Sequence, residues 1–283
     1  MARQRLGQHF LADEGWREQI ARAIRVSPHG MQGTAVTEDR EYCWIEVGAG
    51  HGEMTEHLLH SGKPVFAVEL DAPLIGNLQR MAKLQPNLTV VPGDVLQTNL
   101  GQLAAGRRIR IYGNLPYYIT SPILHHFFSF ASLIDDIFIV IQLEVAERLV
   151  ARSDTSKLYG YLSVATQFYS RPELLLRLPR GAFRPPPEVD SALVRLRLPG
   201  EDVTVKMANP DDFLEFVKRC FAQKRKTLAN NLRELAKPEQ LRGLLRELQL
   251  REDARAEQLG VRELASVYLA LQNNTAALSR SDE

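Results

Sequence analysis

The feature that most constrains the fold is a series of short apolar runs between Tyr42 and Gln142, separated by helix-length segments. Most runs are apolar at consecutive positions, as expected for strands covered on both faces of a sheet. The intervals are long enough for crossover helices, so the series predicts repeated βαβ units and a mostly parallel sheet. The five runs are YCWIEV (42–47), VFAVEL (65–70), LTVV (88–91), RIRIY (108–112) and IFIVIQ (137–142).

Two further strand-like runs follow, RPELLLRL (171–178) and SALVRLRL (191–198), joined by the Pro-rich FRPPPEV. After Pro199-Gly200 the pattern changes to helical spacing, with Phe213, Phe216, Val217, Cys220 and Phe221 on one predicted helix face. We therefore predict an α/β domain over residues 1–200 with a seven-stranded sheet. A small all-helical domain over residues 201–283 is predicted to end in a disordered tail from Asn274.

Bulk composition excludes several classes of protein. The 283 residues include only two cysteines, Cys43 and Cys220, which are far apart. This predicts a reducing, cytoplasmic location without a disulfide framework or a metal site. The N-terminus lacks the apolar segment of a secretory signal, and no apolar run approaches the ~18 residues of a membrane span, so we expect no membrane association. The net charge of +1 hides local segregation and does not exclude a nucleic-acid partner.

A glycine-rich turn follows the first run in WIEVGAGHGEMTEHLL, which has the order strand, turn, helix. Gly48, Gly50 and Gly52 form G-x-G-x-G, which differs from the dinucleotide pattern because residue 53 is Glu. Glycines there allow a ligand to approach the backbone closely. The loop has no Lys or Arg, which argues against a phosphate-bearing ligand.

Two acids follow the next strands. Glu69 closes the second run, and Asp94 comes directly after the third. Because ligands bind at the carboxyl edge of such sheets, we expect Glu69 to accept both ribose hydroxyls of a nucleoside. Asp94, beside the backbone of Val95, is expected to recognise an adenine amine. A nucleoside without phosphate suggests S-adenosylmethionine, although Glu69 could instead be a helix-terminal acid and Asp94 a turn residue.

The fourth run ends in NLPYYITSPI, which places an amide, a rigid proline and aromatic rings together. The Asn114 side-chain oxygen can accept one N–H of an exocyclic adenine amine, and the carbonyl of Leu115 or Pro116 can accept the other. Two such acceptors would aim the nitrogen lone pair at a methyl donor.

Aromatic residues are expected to hold the base. Tyr117 offers a ring face on which the adenine stacks, and Phe183 in the second Pro-rich turn could close the other face. Each could instead be a core aromatic. Tyr118 and Ile119 are expected to pack rather than react.

A basic segment between Phe216 and Arg233 contains six cations and no acid. Such a stripe is typical of a surface that contacts RNA phosphates, although a solvated helix face remains an alternative. The six residues are Lys218, Arg219, Lys224, Arg225, Lys226 and Arg233.

Five ordered motifs resemble those of the KsgA-type ribosomal RNA small-subunit adenine-N6,N6-dimethyltransferases. They are GQHFLAD, IEVGAGHGEMT, NLPYYITSPIL, AFRPPPEVDSALVRL and QKRKTLANNL, and the resemblance runs from about Leu6 to about Leu271. It implies a Rossmann-like, S-adenosylmethionine-dependent methyltransferase domain with a helical C-terminal domain. It also implies dimethylation of two adjacent adenines in the 3′-terminal hairpin of small-subunit (16S) rRNA, within a pre-30S particle and with a role in subunit biogenesis. We expect a monomer.

The resemblance also assigns residues. It implies a base pocket of Asn114, Leu115, Pro116, Tyr117 and Phe183. Members of this family usually have Asn where His9 stands, and many have Asn where Tyr118 stands. The implied cofactor contacts are His9, Leu11, Gly48, Gly50, Glu69, Asp94, Val95 and Asn114.

Three other functions stay open on the sequence alone. An Erm-type enzyme would methylate large-subunit rRNA, but the longer helical domain and KRKTLANNL favour the small subunit. An assembly factor would bind immature subunits, with methylation secondary. A DNA adenine methyltransferase fits less well, because Leu115 replaces the first Pro of its usual motif.

Overall fold

A seven-stranded sheet organises the first part of the chain. The computed structural model of the protein describes residues 9–25, 41–153, 155–200, 207 and 209–281. At Tyr117 and at residues 274–281 it describes the backbone alone. A separate pair, β1 (Phe10–Leu11) and β8 (Phe183–Arg184), is antiparallel. The strands of the large sheet are β2 (Tyr42–Val47), β3 (Val65–Glu69), β4 (Leu88–Pro92), β5 (Arg108–Asn114), β6 (Ile134–Gln142), β7 (Arg171–Leu178) and β9 (Ser191–Arg197).

The order of the sheet is β4-β3-β2-β5-β6-β9-β7, with β9 antiparallel to both of its neighbours and the other pairs parallel. This confirms the predicted fold class. The chain runs outward from β2 to β3 and β4, then returns to place β5 on the other side of β2. The strand order therefore reverses between β2 and β5, where Val47 pairs with Gly113, and such a reversal opens a crevice for a ligand.

Helices alternate with the strands as the spacing predicts. Local chemistry sets their ends: the Asp13 carboxylate accepts a hydrogen bond from Trp16 N at 3.0 Å and so begins α1. Ile20 and Ala21 of that helix are buried against the sheet core. The helices of this part are α1 (Glu14–Ala23), α2 (Glu53–Leu59), α3 (Ala72–Ala82), α4 (Leu100–Ala104), α5 (Thr120–Phe128) and α6 (Leu143–Val150).

The chain divides into two compact units, residues 1–146 with 171–199, and residues 147–170 with 200–283. This division differs from the predicted boundary at residue 200, because residues 147–170 group with the C-terminal unit. The reason is packing: Tyr159, Val164 and Ala165 belong to the same core cluster as Phe213, and the Phe168 and Phe213 rings lie 5.1 Å apart.

The second unit is helical, as predicted. The predicted face of α8 (Pro210–Cys220) is buried at Phe213, Phe216, Val217 and Cys220. The residues from Asn274, predicted to form a disordered tail, differ from that expectation in this structure, where the last helix continues to Ser281. A helix that is already nucleated extends at little cost through residues such as Ala276 and Ala277. Its helices are α7 (Tyr161–Tyr169), α8 (Pro210–Cys220), α9 (Leu228–Asn231), α10 (Pro238–Glu247) and α11 (Val261–Ser281).

Candidate active site

The glycine loop after β2 has the backbone that only glycine adopts readily. Gly48, Gly50 and Gly52 have φ angles of +69°, +61° and +93°. A Cβ on Gly50 would lie 3.2 Å from the Phe10 ring, and one on Gly52 would lie 2.7 Å from Met81 Cε. The loop is therefore a tightly packed turn whose glycine positions do not accommodate a larger residue, and it lies where the strand order reverses.

Glu69 at the end of β3 holds this loop in place. Its Oε2 accepts a hydrogen bond from Gly50 N at 2.8 Å, while Oε1 accepts from Leu70 N at 2.8 Å and Asp71 N at 2.9 Å. The residue is only 4% exposed. A carboxylate offers about four acceptor positions. The backbone N–H groups already occupy three of the positions on Glu69, which leaves about one for a ribose hydroxyl.

Asp94 and Val95 follow β4 at the same edge of the sheet. Asp94 Oδ1 accepts a hydrogen bond from Leu96 N at 2.9 Å and caps a short 3₁₀ turn that buries Val95. The side chain is half-buried. Its second oxygen is the atom left for the predicted adenine contact.

Asn114 ends β5 on the opposite side of β2, and a partner 105 residues away in sequence orients its amide. Asn114 Nδ2 donates to the His9 carbonyl at 2.7 Å. A carbonyl oxygen can only accept, so the amide nitrogen must face His9 and Oδ1 must face away from it. The structure thus leaves an oriented acceptor at this strand end.

The N-terminal segment His9–Asp13 connects several parts of the site. His9 Nδ1 lies 2.8 Å from the Pro185 carbonyl, which requires a proton on Nδ1. Ala12 N and Asp13 N both donate to the Ala182 carbonyl. The sequence motif GQHFLAD marked this segment, but its pattern did not reveal that it fixes Asn114.

Two residues of this segment face different surroundings. The Phe10 ring contacts the exposed His51 of the glycine loop, with ring centres 4.8 Å apart. Leu11, by contrast, is buried in the core cluster that also contains Phe183. The Leu11 side chain is therefore not available to a ligand in this structure.

The turn after Asn114 is anchored on both sides. Leu115 is buried, and its N–H donates to the Val140 carbonyl at 3.0 Å. The Pro116 carbonyl accepts from Ile119 N and from Thr120 Oγ1, both at 3.3 Å. Because both acceptor positions of the Pro116 carbonyl are used, the Leu115 carbonyl is the better candidate for a second acceptor beside Asn114.

The predicted aromatic contacts fare differently. Tyr117 lies in the short 3₁₀ helix Tyr117–Ile119, and its stacking role stays a prediction. Phe183 is completely buried and pairs with Leu11 across the β1–β8 ladder. Its ring has no exposed face, so the prediction that it closes the base pocket does not agree with this structure. Tyr118, which was expected to pack, is instead 62% exposed.

One buried acid near the loop was missed by the sequence analysis. Glu46 precedes the loop by two residues and is 2% exposed, with Thr55 Oγ1 of α2 donating to its Oε2. Burial raises its pKa to about 8, against the opposing effect of the Thr55 hydrogen bond, so the carboxyl is protonated at neutral pH. An acid inside an apolar run is the signal that could have found it.

The C-terminal unit carries the predicted RNA-binding residues, all of which are exposed. Three are partly engaged: Lys218 Nζ and Arg219 Nε lie 3.5 and 4.0 Å from Glu215, and Lys224 Nζ donates to the Lys157 carbonyl at 2.6 Å. Glu215 lies one residue before the segment that appeared free of acids. Arg225, Lys226 and Arg233 form no ion pair with any described residue.

The described part of the chain has neither a membrane-spanning helix nor a cluster of metal-binding side chains. No helix there combines the length and the apolar character needed to cross a bilayer. No three His, Cys, Asp or Glu side chains among those residues come together as a metal ion would require.

Comparison with known proteins identifies a family. The family described as ribosomal RNA adenine dimethylase matches residues 1–273. The chain is 40% identical over 272 residues to "Ribosomal RNA small subunit methyltransferase A" of Xanthomonas euvesicatoria pv. vesicatoria, covering 95% of this chain and 97% of the relative. It is 36% identical over 273 residues to the protein of that name from Acidobacterium capsulatum, covering 96% and 92%.

Solved structures share the fold. A dimethyladenosine transferase from Plasmodium falciparum superposes with a TM-score of 0.76 at 22% identity, covering 94% of this chain and 98% of that one. The 23S rRNA methyltransferase ErmE superposes with a TM-score of 0.66 at 23% identity, covering 93% and 99%. Both likenesses support the architecture described above.

Proposed function

Because the chain belongs to the ribosomal RNA adenine dimethylase family, we propose that it dimethylates N6 of two adjacent adenines in the 3′-terminal hairpin of small-subunit rRNA. The small subunit is favoured because relatives at about 40% identity over almost their whole length are named small-subunit methyltransferases. The substrate is the rRNA within a pre-30S particle, and the enzyme acts as a cytoplasmic monomer in subunit biogenesis.

The orientation of Asn114 carries this proposal. The His9 carbonyl holds Nδ2, and Oδ1 is thereby directed to accept one N–H of the adenine amine. The Leu115 carbonyl accepts the other N–H, since the Pro116 carbonyl is occupied by Ile119 and Thr120. Two fixed acceptors turn the lone pair of the nitrogen out of conjugation with the ring and direct it toward the methyl donor.

The loop chemistry fits S-adenosylmethionine, which supplies an electrophilic methyl group when it is bound. Three glycines at positive φ have no side chain that would exclude a nucleoside, and the loop contains no Lys or Arg that a phosphate would need. Gly48, Gly50 and the backbone of His9 would lie against the amino-acid part. Glu69 would bind the ribose, and Asp94 with the backbone of Val95 would bind the adenine.

No side chain has to act as a strong base in this mechanism. A methylated exocyclic ammonium is acidic and loses its proton to solvent. The chain's contribution is position and electrostatics, with Pro116 at φ −60° fixing the backbone and Tyr117 stacking on the base. Stacking offsets part of the few kcal/mol that it costs to flip an adenine out of its RNA context.

A parallel methyl-transfer assay tests the function. Purified protein and labelled S-adenosylmethionine are offered unmethylated small subunits, unmethylated large-subunit RNA and DNA, and the products are digested to nucleosides. We expect N6,N6-dimethyladenosine from the small subunit alone. Label in large-subunit RNA would replace the proposal with an Erm-type activity. Tight subunit binding with no label anywhere would replace it with an assembly factor.

A further inference from the structure

Tyr118 differs from every other aromatic residue whose side chain the structure describes. It is 62% exposed, while the remaining described Phe, Tyr and Trp side chains are buried or half-buried. A single exposed apolar residue is ordinary on a protein surface. A phenol ring at this place is not, because it lies four residues from the acceptor Asn114.

The backbone beneath Tyr118 is held firmly. Leu115 on one side and Thr120 on the other are buried, and the Pro116 carbonyl accepts two hydrogen bonds across the turn. The residue therefore projects from an anchored 3₁₀ turn. Four residues span at most about 14 Å even when fully extended, so the Tyr118 backbone lies within that distance of Asn114.

The surrounding segment has no charge. The stretch NLPYYITSPIL, Asn114 to Leu124, contains neither acid nor base, and Ser121 and Pro122, which follow Tyr118 in the sequence, are exposed as well. The segment itself therefore offers no charge that would attract phosphate. An exposed ring on an uncharged segment is suited to stacking on another flat ring.

We propose that Tyr118 stacks on the base of the nucleotide next to the adenine held at Asn114. When an adenine leaves the RNA stack to enter the pocket, its neighbour loses one stacking partner. The Tyr118 ring replaces that partner and so stabilises the flipped state. This inference rests on the proposed function, since it requires a base at Asn114.

The test is steady-state methyl transfer to unmethylated small subunits by four proteins: wild type, Tyr118→Ala, Tyr118→Asn and Tyr118→Phe. Loss of the ring should raise the KM for subunits roughly 5- to 150-fold in the Ala and Asn variants, which is the range expected for one stacked base. Tyr118→Phe keeps the ring face and should stay within about twofold of wild type.

Two further readouts separate contact from structure. Calorimetric affinity for S-adenosylmethionine and the thermal midpoint of unfolding should be unchanged in all variants, because an exposed ring supports neither. A KM in Tyr118→Ala equal to that of an active wild type would overturn the inference, and so would a joint fall in cofactor affinity and thermal midpoint. If the wild-type protein methylates no subunits, the proposed function fails first and this inference fails with it.

Discussion

Glu69 and Asn114 end the two strands that flank β2, yet their hydrogen bonding differs. The Glu69 carboxylate is 4% exposed and accepts three backbone N–H groups. Asn114 is half-buried, and among the contacts of the described residues its amide is bonded through the nitrogen alone, to the His9 carbonyl. The protein therefore uses most of the acceptor capacity of the Glu69 carboxylate. It orients the Asn114 amide but leaves the amide oxygen available to a ligand.

This difference indicates that Glu69 has a mainly structural role and that Asn114 has a mainly catalytic one. A saturated carboxylate stabilises the loop around it, and its removal leaves three backbone donors, one of them buried, without their acceptor. A half-used amide costs little to fold and presents a fixed acceptor to whatever binds next. We therefore expect changes at Glu69 to affect stability and ligand binding together, and changes at Asn114 to affect turnover.

The largest effect is expected for Asn114→Ala. Loss of the oriented acceptor should lower kcat for methyl transfer by about 10²–10³-fold, as loss of other preorganised groups does. The unfolding free energy should change little, because only one hydrogen bond of a half-buried group is lost.

Asn209→Ala is the matched control for that variant. Asn209 caps α8 of the C-terminal unit by accepting from Asp211 N at 3.1 Å, and it belongs to neither the proposed base pocket nor the proposed cofactor contacts. It should cost about 1 kcal/mol of stability and leave kcat unchanged. Turnover of Asn114→Ala close to that of wild type would remove the acceptor role.

Glu69→Ala should destabilise the protein by about 2–4 kcal/mol, since Gly50, Leu70 and Asp71 lose their acceptor. Denaturant unfolding measures this loss, and calorimetry should show weaker S-adenosylmethionine binding at the same time. Glu69→Gln keeps one acceptor oxygen and should fall between Ala and wild type in both assays. If stability falls while cofactor affinity is unchanged, the ribose assignment is wrong.

Glu46 sharpens the comparison, because it is as buried as Glu69 but is bonded by one hydroxyl instead of three N–H groups. Its pKa is about 8 in the folded chain and 4.5 ordinarily, so the folded state binds the proton more tightly. Protonation of Glu46 therefore adds to the free energy of unfolding. This contribution is fully present below pH 4.5 and is lost as the pH rises through 8.

Glu46→Gln mimics the protonated acid and should remove that dependence. Relative to the variant, the wild type should lose on the order of 2 kcal/mol of unfolding free energy between pH 6 and pH 8. Urea unfolding at both pH values checks this. Parallel pH profiles for the two proteins would mean that Glu46 is ionised in the folded state.

The smallest effects are expected among the cations of the C-terminal unit, where the same distinction between used and available groups applies. Arg225→Ala should weaken subunit binding by about 3-fold and reduce the salt slope by about one. Lys218→Ala should do less, because Glu215 lies 3.5 Å away and already offsets part of that charge. Equal effects in a salt titration would contradict this ranking.

The sequence predicts most strands because apolar runs depend on local pattern. It places the start of β6 too late, at Ile137 instead of Ile134, because Asp135 and Asp136 interrupt the apolar run. Long-range partners explain those acids: Asp136 pairs with Arg195 at 2.7 Å, and Asp135 pairs with Arg108. Similarly, the grouping of residues 147–170 depends on packing against Phe213 that no local pattern shows.

The placement of the candidate residues Glu69, Asp94 and Asn114 at strand ends was predictable for the same reason. Their hydrogen-bond states were not. Glu69 meets Gly50 across 19 residues and Asn114 meets His9 across 105. The burial of Phe183 and the exposure of Tyr118 also follow from tertiary placement, which is why both expectations failed.

A crystal structure of the protein with adenosine and the demethylated cofactor tests the central claim most directly. We predict that adenine N6 lies within roughly 2.7–3.2 Å of both Asn114 Oδ1 and the Leu115 carbonyl, with Nδ2 still bonded to the His9 carbonyl. An amide released from His9, or an adenine amine held away from Asn114, would contradict the account.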